Sequence, residues 1–230
     1  MPSGNAGPCL DRFPHHLPRG TEMTNILVVT SSANGDASVS SGLAATLIDR
    51  LRDADPAAEV VLRDVGTQPL PHLTAETVAA IKGQPASEAE LAARALSDAL
   101  VAELAAADIL VIASPMYNFG MSSTLKAWFD HVLRAGLTFR YTPEGPEGLM
   151  KGRRAVVIES RAGFYSNGPA AAMDGQEPHI RILLGFMGID DVTFVRAEKL
   201  AFGPEAAEAA IAEASEALGL FAGETLKLAA

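Results

Sequence analysis

Residues 114–130 read SPMYNFGMSSTLKAWFD, and they join a buried strand to an amphipathic helix through a short polar and aromatic loop. The strand is predicted over residues 108–113, because a continuous apolar run rich in β-branched side chains is typical of a parallel strand covered on both faces. Pro115 is expected to end regular pairing, and Ser122 or Ser123 to cap the helix that follows. The loop between them leaves the carboxyl end of a buried strand, which is where doubly wound α/β sheets bind ligands.

The composition fits one well-buried α/β domain. The chain has 230 residues, of which 48% are hydrophobic and 20% charged, and no shift in composition marks a second domain. We therefore predict a single domain over residues 23–230. A formal net charge of −10 argues against nucleic acid or an anionic membrane surface as a partner, since both attract basic patches. No run of about 18 apolar residues is present to span a bilayer, and a cytoplasmic location is expected.

The first 22 residues differ from the rest, with prolines at positions 2, 8, 14 and 18 and no apolar run long enough for a signal peptide. We predict that residues 1–22 form a disordered extension. Either translation starts at Met23, or the extension is a genuine flexible arm. Its Cys9, His15 and His16 match no metal-ligand spacing, and a lone cysteine can form no internal disulfide, so no metal site is expected.

Strand and helix patterns alternate along the rest of the chain. Apolar runs predict five strands, at residues 25–30, 59–63, 108–113, 154–160 and 192–196. Helical spacing predicts helices at residues 40–54, 74–81, 87–106, from 122 or 123 onward, at 177–187 and from Pro204. With right-handed crossovers, this alternation indicates an α/β fold: a flavodoxin-like, doubly wound, five-stranded parallel sheet of order 2-1-3-4-5 with helices on both faces.

In this order, the loops after the first, third and fourth strands meet at the switch point of the sheet. The first loop, residues 31–41, ends at a helix N-terminus, so free N–H groups with Ser32, Ser38 and Ser40 could hold a phosphate dianion. No Lys or Arg occurs between residues 31 and 48, which leaves the binding to amides and hydroxyls. The alternative is that these serines only cap a helix and make a turn. Neither a P-loop nor a GxGxxG motif is present.

The second loop has the side chains that a planar heterocycle needs. Tyr117 and Phe119 could give stacking or apolar contact, and Asn118 offers both a donor and an acceptor to an imide edge, so a flavin ring fits. The alternative is that the aromatic residues only pack and Asn118 only makes a turn. Their coincidence with the sheet edge favours the flavin interpretation.

Residues 114–153, SPMYNFGMSSTLKAWFDHVLRAGLTFRYTPEGPEGLMKGR, followed by VVIESRAG at residues 156–163, resemble the FMN-dependent azoreductase and NADH:quinone oxidoreductase family. The resemblance runs from residue 23 to about residue 204, and its motifs are long and without gaps. It implies a tightly but non-covalently bound FMN, with NADH or NADPH as electron donor. It also implies a homodimer with two active sites at the subunit interface, where residues 138–141 help to cover the flavin.

Matching positions assign the site residues by this resemblance. The phosphate would be bound by Ser32, Ser38, Val39 and Ser40. The isoalloxazine ring would be bordered by Met116, Tyr117, Asn118 and Phe119. Its pyrimidine side would be contacted by Ser160, Arg161, Ala162 and Gly163. The walls of the substrate pocket would be Asn118, Tyr141 and Phe164.

The resemblance further implies that the flavin carries the redox chemistry. NADH or NADPH would pass a hydride to the ring. A quinone or azo compound would then take two electrons at the same face, with ping-pong kinetics, to give a hydroquinone or aromatic amines. Backbone N–H groups, with Arg161 nearby, would stabilise the negative charge that develops on reduction. No side chain is expected to be a catalytic acid or base.

Two positions depart from the family pattern. Ala162 stands where the family often has glycine, and Tyr165 stands where some members have histidine, so the substrate range stays open. The sequence likewise does not decide between NADH and NADPH. His131 and His179 are predicted to be ordinary surface residues.

Two alternative functions stay open. The first is a flavodoxin-type electron carrier or flavin-binding regulatory protein, for which the acidic surface would serve docking. The second is an FMN reductase that releases reduced flavin. Residues 67–85 and 135–151 form connections longer than a minimal flavoprotein requires, which favours an enzyme with a substrate pocket over a carrier.

Overall fold

A computed structural model of the chain describes residues 24–229, and seven strands lie in this range. They are β1 (Asn25–Thr30), β2 (Glu59–Asp64), β3 (Ile109–Pro115), β4 (Phe139–Thr142), β5 (Gly145–Gly148), β6 (Arg154–Ser160) and β7 (Asp191–Ala197). Five of them form a parallel sheet in the order β2-β1-β3-β6-β7. This is the predicted order 2-1-3-4-5 counted over the strands of the sheet alone, and the fold prediction is confirmed.

The same range contains six α-helices. They are α1 (Val39–Ala54), α2 (Ala75–Lys82), α3 (Glu88–Ala106), α4 (Ser123–Val132), α5 (Glu177–Phe186) and α6 (Pro204–Ala229). The first four begin after a residue whose hydroxyl accepts an N–H of the first turn, namely Ser38, Thr74, Ser87 and Ser122. These caps explain why helix starts were predictable to within a residue or so.

The helices cover both faces of the sheet. One apolar cluster joins α1 and α6 to side chains such as Val28 and Val111, and the other joins α3, α4 and α5 to side chains such as Leu110 and Ile112. Alternate residues of the central strand β3 point into different clusters, and all of its residues are buried. Described residues thus cover both faces of β3, which leaves the ends of the strand as the places where a ligand could approach it.

Residues 135–151, predicted as a loop, contain an antiparallel β-hairpin instead, formed by β4 and β5. Gly145, at φ +128°, makes its turn possible. The hairpin packs closely against the turn that follows α5, since a Cβ added to Gly148 would lie 2.1 Å from the backbone nitrogen of Gly188. β4 alternates, as FRYT, over only four residues, and β5 reads GPEG, so neither strand has an apolar pattern long enough to be recognised in the sequence.

Pro115 ends β3, as predicted, although the strand runs two residues beyond its predicted end at residue 113. Pro115 is the last residue of the strand and lies opposite Ser160. Proline lacks an N–H, and the next hydrogen bond to β6 is donated by Met116 N–H to the Ser160 carbonyl at 2.9 Å. The predicted ring-binding loop therefore starts directly after the central strand.

The predictions for residues 1–22, including Cys9, His15, His16 and a start at Met23, lie outside the described residues. Between residues 24 and 229, no helix is both long enough and apolar enough to cross a membrane.

Candidate functional site

Three loops leave the carboxyl ends of neighbouring strands and are hydrogen-bonded to one another. We name them the β1 loop (residues 31–38), the β3 loop (residues 116–122) and the β6 loop (residues 161–176). The β1 and β3 loops are joined by Ala33 N–H, which donates to the Tyr117 hydroxyl at 3.1 Å. The β3 and β6 loops are joined by Gly175 N–H, which donates to the Phe119 carbonyl at 2.8 Å. The structure therefore brings the predicted binding loops together at one edge of the sheet.

The β1 loop ends at the positive end of α1, where N–H groups lack partners. Ser38 caps the helix, because its Oγ accepts Ser41 N–H at 3.3 Å and lies 3.2 Å from Ser40 Oγ. Within the described chain, Val39 N–H and Ser40 N–H have no acceptor, as expected for the first turn of a helix. Ser32, in the same loop, is buried, and its Oγ accepts Asn34 N–H at 3.2 Å. Two free amides and several hydroxyls at a helix N-terminus fit an anion such as a phosphate group.

The β3 loop is a tight two-residue turn with an unusual backbone. Tyr117 N–H donates to the Gly120 carbonyl at 2.8 Å, and Gly120 N–H donates back at 3.0 Å. Asn118 and Phe119 between them have φ values of 47° and 69°, in the left-handed region. Asparagine tolerates this conformation, but phenylalanine is strained in it, and such strain clusters at functional sites. The turn holds the Phe119 ring at the surface, 44% exposed.

Tyr117 connects two loops rather than presenting an open face. Its hydroxyl accepts Ala33 N–H and lies 3.5 Å from Ser32 Oγ, and the residue is half-buried. Beside it lies an open cleft of about 570 Å³ at the start of α4. The cleft is lined by Ser31, Ala33, Tyr117, Asn118, Gly120, Met121, Ser122, Ser123, Thr124, Lys126, Gly175 and His179.

The β6 loop presents two adjacent amide donors. The carbonyls of Ala162 and Gly163 accept N–H groups of Ala201 at 3.0 Å and Lys199 at 2.8 Å, while their own N–H groups have no partner in residues 24–229. A Cβ on Gly163 would lie 2.8 Å from the Tyr165 hydroxyl oxygen, so the ring of Tyr165 covers this glycine. The loop is thereby fixed by its carbonyls, and its free amides stay available to a ligand.

The side chain of Arg161 is enclosed in the protein rather than exposed at the candidate site. Arg161 is fully buried. Its guanidinium lies 2.7 Å from Glu159, 3.0 Å from Asp174 and 3.2 Å from Glu198. Arg161 Nε also donates to Gln176 Oε1 at 3.1 Å. Its backbone N–H and carbonyl are bonded to β7 and to the turn after it. Arg161 therefore braces the β6 loop from beneath.

Burial has opposite outcomes at two carboxylates of this cluster. Burial raises the pKa of Glu159 to about 8, although the Arg161 guanidinium opposes the change. Burial would also raise the pKa of Glu198, but hydrogen bonds from Ser166 and Tyr165 N–H hold it below its ordinary value. The pKa values of these two buried carboxyl groups are therefore shifted in opposite directions.

The two predicted pocket walls occupy different surroundings. Phe164 lies in the β6 loop, 36% exposed, with Lys199 Nζ 4.5 Å from its ring centroid. Tyr141 lies on the hairpin, 75% exposed, and its ring packs edge-on against Phe139 at 5.5 Å. Phe164 therefore belongs with the three loops, whereas Tyr141 contacts its own hairpin. Phe119 and Tyr165, with ring centroids 6.0 Å apart, extend the aromatic surface of the loops.

The prediction that His131 is a surface residue is wrong. His131 is fully buried on α4, and its Nε2 lies 2.9 Å from the Pro71 carbonyl oxygen. Its position off the apolar stripe is explained by the connection that contains Pro71, which covers that side of α4. His179 is exposed, as predicted, and lines the cleft beside the β3 loop.

Sequence reasoning missed the buried cluster around Arg161. One signal was present, because Glu159 interrupts an otherwise apolar strand, and a buried charge in such a strand requires a partner. The partners Asp174, Gln176 and Glu198 are distant in sequence. No local pattern could have identified them.

Comparison with known proteins gives consistent matches. Residues 24–220 match a family model described as "Flavodoxin-like fold". A relative from Hyphomonas neptunium, named "FMN-dependent NADH:quinone oxidoreductase", is 56% identical over 189 residues, which cover 82% of this chain and 91% of the relative. A relative of the same name from Azotobacter vinelandii is 47% identical over 198 residues, which cover 85% of this chain and 98% of that relative.

Solved structures agree with these matches. A crystal structure of azoreductase from Bacillus anthracis superposes with a TM-score of 0.80 at 30% identity, covering 88% of this chain and 100% of that one. A structure of an FMN-dependent NADH-azoreductase from the same species, in complex with FMN, has a TM-score of 0.79 at 25% identity, with coverage of 87% and 100%.

Proposed function

The chain belongs to the family with a flavodoxin-like fold that includes curated FMN-dependent NADH:quinone oxidoreductases, and we propose that it reduces quinones and azo compounds with electrons from NADH through a bound FMN. One observation carries this proposal. Three adjacent loops meet at the switch point of the sheet, and unpartnered amides lie after β1 and after β6, in a chain 56% identical to a relative of that name.

The β1 loop fits the phosphate of FMN. Val39 and Ser40 would donate their free N–H groups, and Ser32 and Ser38 would contribute hydroxyls. The field at the start of α1 favours a dianion there, so no cationic side chain is needed. Ser38 has a second function as the helix cap, and its hydroxyl would be shared between the helix and the ligand.

The β3 and β6 loops fit the isoalloxazine ring. Met116, Asn118 and Phe119 would border it on one side, and Tyr117 would hold this border against the β1 loop. Ser160, Ala162 and Gly163 would contact the pyrimidine side. Arg161 would contribute through the position it imposes on the loop, since its guanidinium is enclosed by carboxylates.

When bound, FMN supplies the redox chemistry, because it accepts a hydride from a nicotinamide and passes two electrons to an acceptor. The chain supplies placement and electrostatics. The N–H groups of Ala162 and Gly163, held by carbonyl bonds to Ala201 and Lys199, are preorganised donors for negative charge on the pyrimidine side. We assign no side chain as a catalytic acid or base.

The acceptor would bind against the aromatic surface of Phe119, Phe164 and Tyr165, which suits flat quinones and azo compounds. We also propose a homodimer with active sites at the interface. Tyr141 and Ile182, which are 75% and 66% exposed, leave apolar surface for a second copy to cover. Because NADH is abundant in the cytoplasm, we expect the protein to act there.

Steady-state kinetics test this function. We expect benzoquinone to accelerate NADH oxidation strongly, and initial rates at several fixed benzoquinone concentrations to give parallel double-reciprocal lines. The reason is that donor and acceptor would use one flavin face in turn. The assay is repeated with excess free FMN and no quinone as the control for flavin reductase activity.

The alternatives predict different outcomes of the same assay. An electron carrier would show no acceleration by benzoquinone in the absence of a partner protein. An FMN reductase would treat free FMN as a saturable substrate and would lose its flavin on gel filtration. Either result would reject the proposed function in favour of that alternative.

A further inference from the structure

A cluster of buried charges lies beneath the candidate flavin site, at the ends of strands β6 and β7. Its centre is the Arg161 guanidinium, which contacts Glu159, Asp174 and Glu198 at 2.7, 3.0 and 3.2 Å. Arg161 and Glu159 are each fully buried. Contacts of this kind in a low-dielectric interior are strong and orientation-dependent, so the cluster fixes the segments that contribute to it.

The cluster is tied to all of the segments that border the predicted ring site. Gln176, which accepts from Arg161, donates to the Ser114 carbonyl at 2.8 Å and so reaches the end of β3. Glu198 accepts N–H groups of Tyr165 and Ser166 at 2.9 and 3.0 Å. Displacement of any one member would therefore shift the β3 or β6 loop.

The charges around Glu159 do not balance if every group is ionised. Four carboxylates belong to the cluster within the described residues, namely Glu159, Asp174, Glu177 and Glu198. Three guanidinium groups face them, namely Arg161, Arg181 and Arg196. One proton on a carboxyl would remove the excess negative charge.

Of the four carboxyl groups, Glu159 is the one best placed to hold this proton. It is fully buried, whereas Glu177 keeps contact with solvent and pairs with two arginines. In the described chain, Glu159 Oε1 has no hydrogen-bond partner, which is costly for a buried carboxylate oxygen. Its raised pKa, about 8, has the same cause, because burial disfavours the charged form.

We propose that Glu159 is a positioning residue that holds one buried proton beneath the β6 loop, and that loss of this proton weakens the preference of the site for reduced over oxidised FMN. The inference rests on the proposed function and deepens it. Glu159 precedes Ser160, the first of the residues assigned to the pyrimidine side, and negative charge develops on that side when FMN is reduced. An ionised Glu159 would repel this charge, whereas a protonated Glu159 would not.

The test is the midpoint potential of bound FMN, measured anaerobically against reference dyes between about pH 6 and about pH 9.5, a range that brackets the shifted carboxyl. The proteins are the wild type, Glu159→Gln and Glu177→Gln. We expect the wild type and Glu159→Gln to agree at the low end. Above the pKa of Glu159 the wild type should prefer reduced FMN about tenfold less than Glu159→Gln does, which is about 30 mV for a two-electron couple.

Glu177→Gln is the matched control, since it changes a neighbouring carboxylate of the same cluster. Removal of its charge should lower the pKa of Glu159, because Glu177 raises it. The inflection should therefore persist but move to lower pH. This shift decides the question even if Glu159→Gln does not fold.

A second readout does not need the flavin. A carboxyl whose pKa is higher in the folded than in the unfolded state loses stabilisation as the pH rises from its unfolded to its folded pKa. The unfolding free energy of the flavin-free wild type should thus fall between about pH 4.5 and about pH 8, and Glu159→Gln should lack this fall.

The outcomes separate the two ideas. Potentials that run parallel in all three proteins would overturn the inference even if FMN binds and turns over. A difference in stability between the wild type and Glu159→Gln, together with parallel potentials, would also overturn the inference. The proton would then affect folding but not the potential of the flavin. Failure of the wild type to bind FMN at all would reject the proposed function, and the inference with it.

Discussion

Arg161→Ala is expected to lower the free energy of unfolding by about 3 to 5 kcal/mol, the largest effect of any single substitution considered for this chain. The side chain is fully buried, and its removal leaves the carboxylates of Asp174 and Glu198 without their shared cation and the Glu159 carboxyl without its hydrogen-bond donor. Urea denaturation followed by circular dichroism measures the change. The loss should be smaller at lower pH, because the uncompensated carboxylates can then take up protons.

Arg181→Ala is the matched control for this prediction. Arg181 pairs with Glu177 on the exposed side of α5, and its side chain is 55% exposed. Its loss should change stability by less than about 0.5 kcal/mol, as is usual for surface ion pairs. Arg161→Lys, which keeps the charge but not the planar fork, should be intermediate. Equal effects of Arg161→Ala and Arg181→Ala would contradict the account of the cluster.

Gly66→Ala should sharply weaken FMN binding, although residue 66 would not itself contact the ligand. A Cβ on Gly66 would lie 2.1 Å from the Ser32 carbonyl oxygen and 2.8 Å from its nitrogen. Both are backbone atoms, so the β1 loop must move. We expect FMN affinity to fall at least about tenfold, which is about 1.4 kcal/mol. Overpacking should also cost about 1 to 3 kcal/mol of stability. Quenching of FMN fluorescence on titration with flavin-free protein measures the affinity.

Gly223→Ala controls for the effect of an added methyl group. Gly223 lies inside α6, and a Cβ there would meet nothing within 4 Å. Alanine should therefore raise stability by about 0.5 to 1 kcal/mol through helix propensity and leave FMN affinity unchanged. If Gly66→Ala bound FMN as tightly as Gly223→Ala, the β1 loop would not hold the phosphate.

Most of the fold was predictable because its signals are local. The apolar run that contains β3 and the serines that cap α1, α3 and α4 each mark an element within a few residues of sequence. The order of the strands then followed from right-handed crossovers. The hairpin of β4 and β5 was missed, since its short strands bury only one apolar side chain, Phe139.

The candidate site was predictable in its backbone and less so in its side chains. Serines that precede a helix, and an Asn-Phe turn that follows a buried strand, indicate a binding loop from the local sequence alone. The orientation of the Arg161 side chain could not be predicted, because it depends on Asp174 and Glu198, which only the fold brings close to it. His131 was misassigned for the same reason, because the segment that contains Pro71 covers it from a distant part of the chain.

The visible spectrum of the purified protein tests the central claim most directly. The protein is supplied with FMN, freed of unbound flavin, and then treated anaerobically with NADH and next with excess 1,4-benzoquinone. We predict flavin absorbance in stoichiometric amount, bleaching with NADH and full return with benzoquinone. A protein that stays colourless after incubation with FMN would contradict the assignment of the three loops, and retained flavin that NADH does not bleach would contradict the proposed reaction.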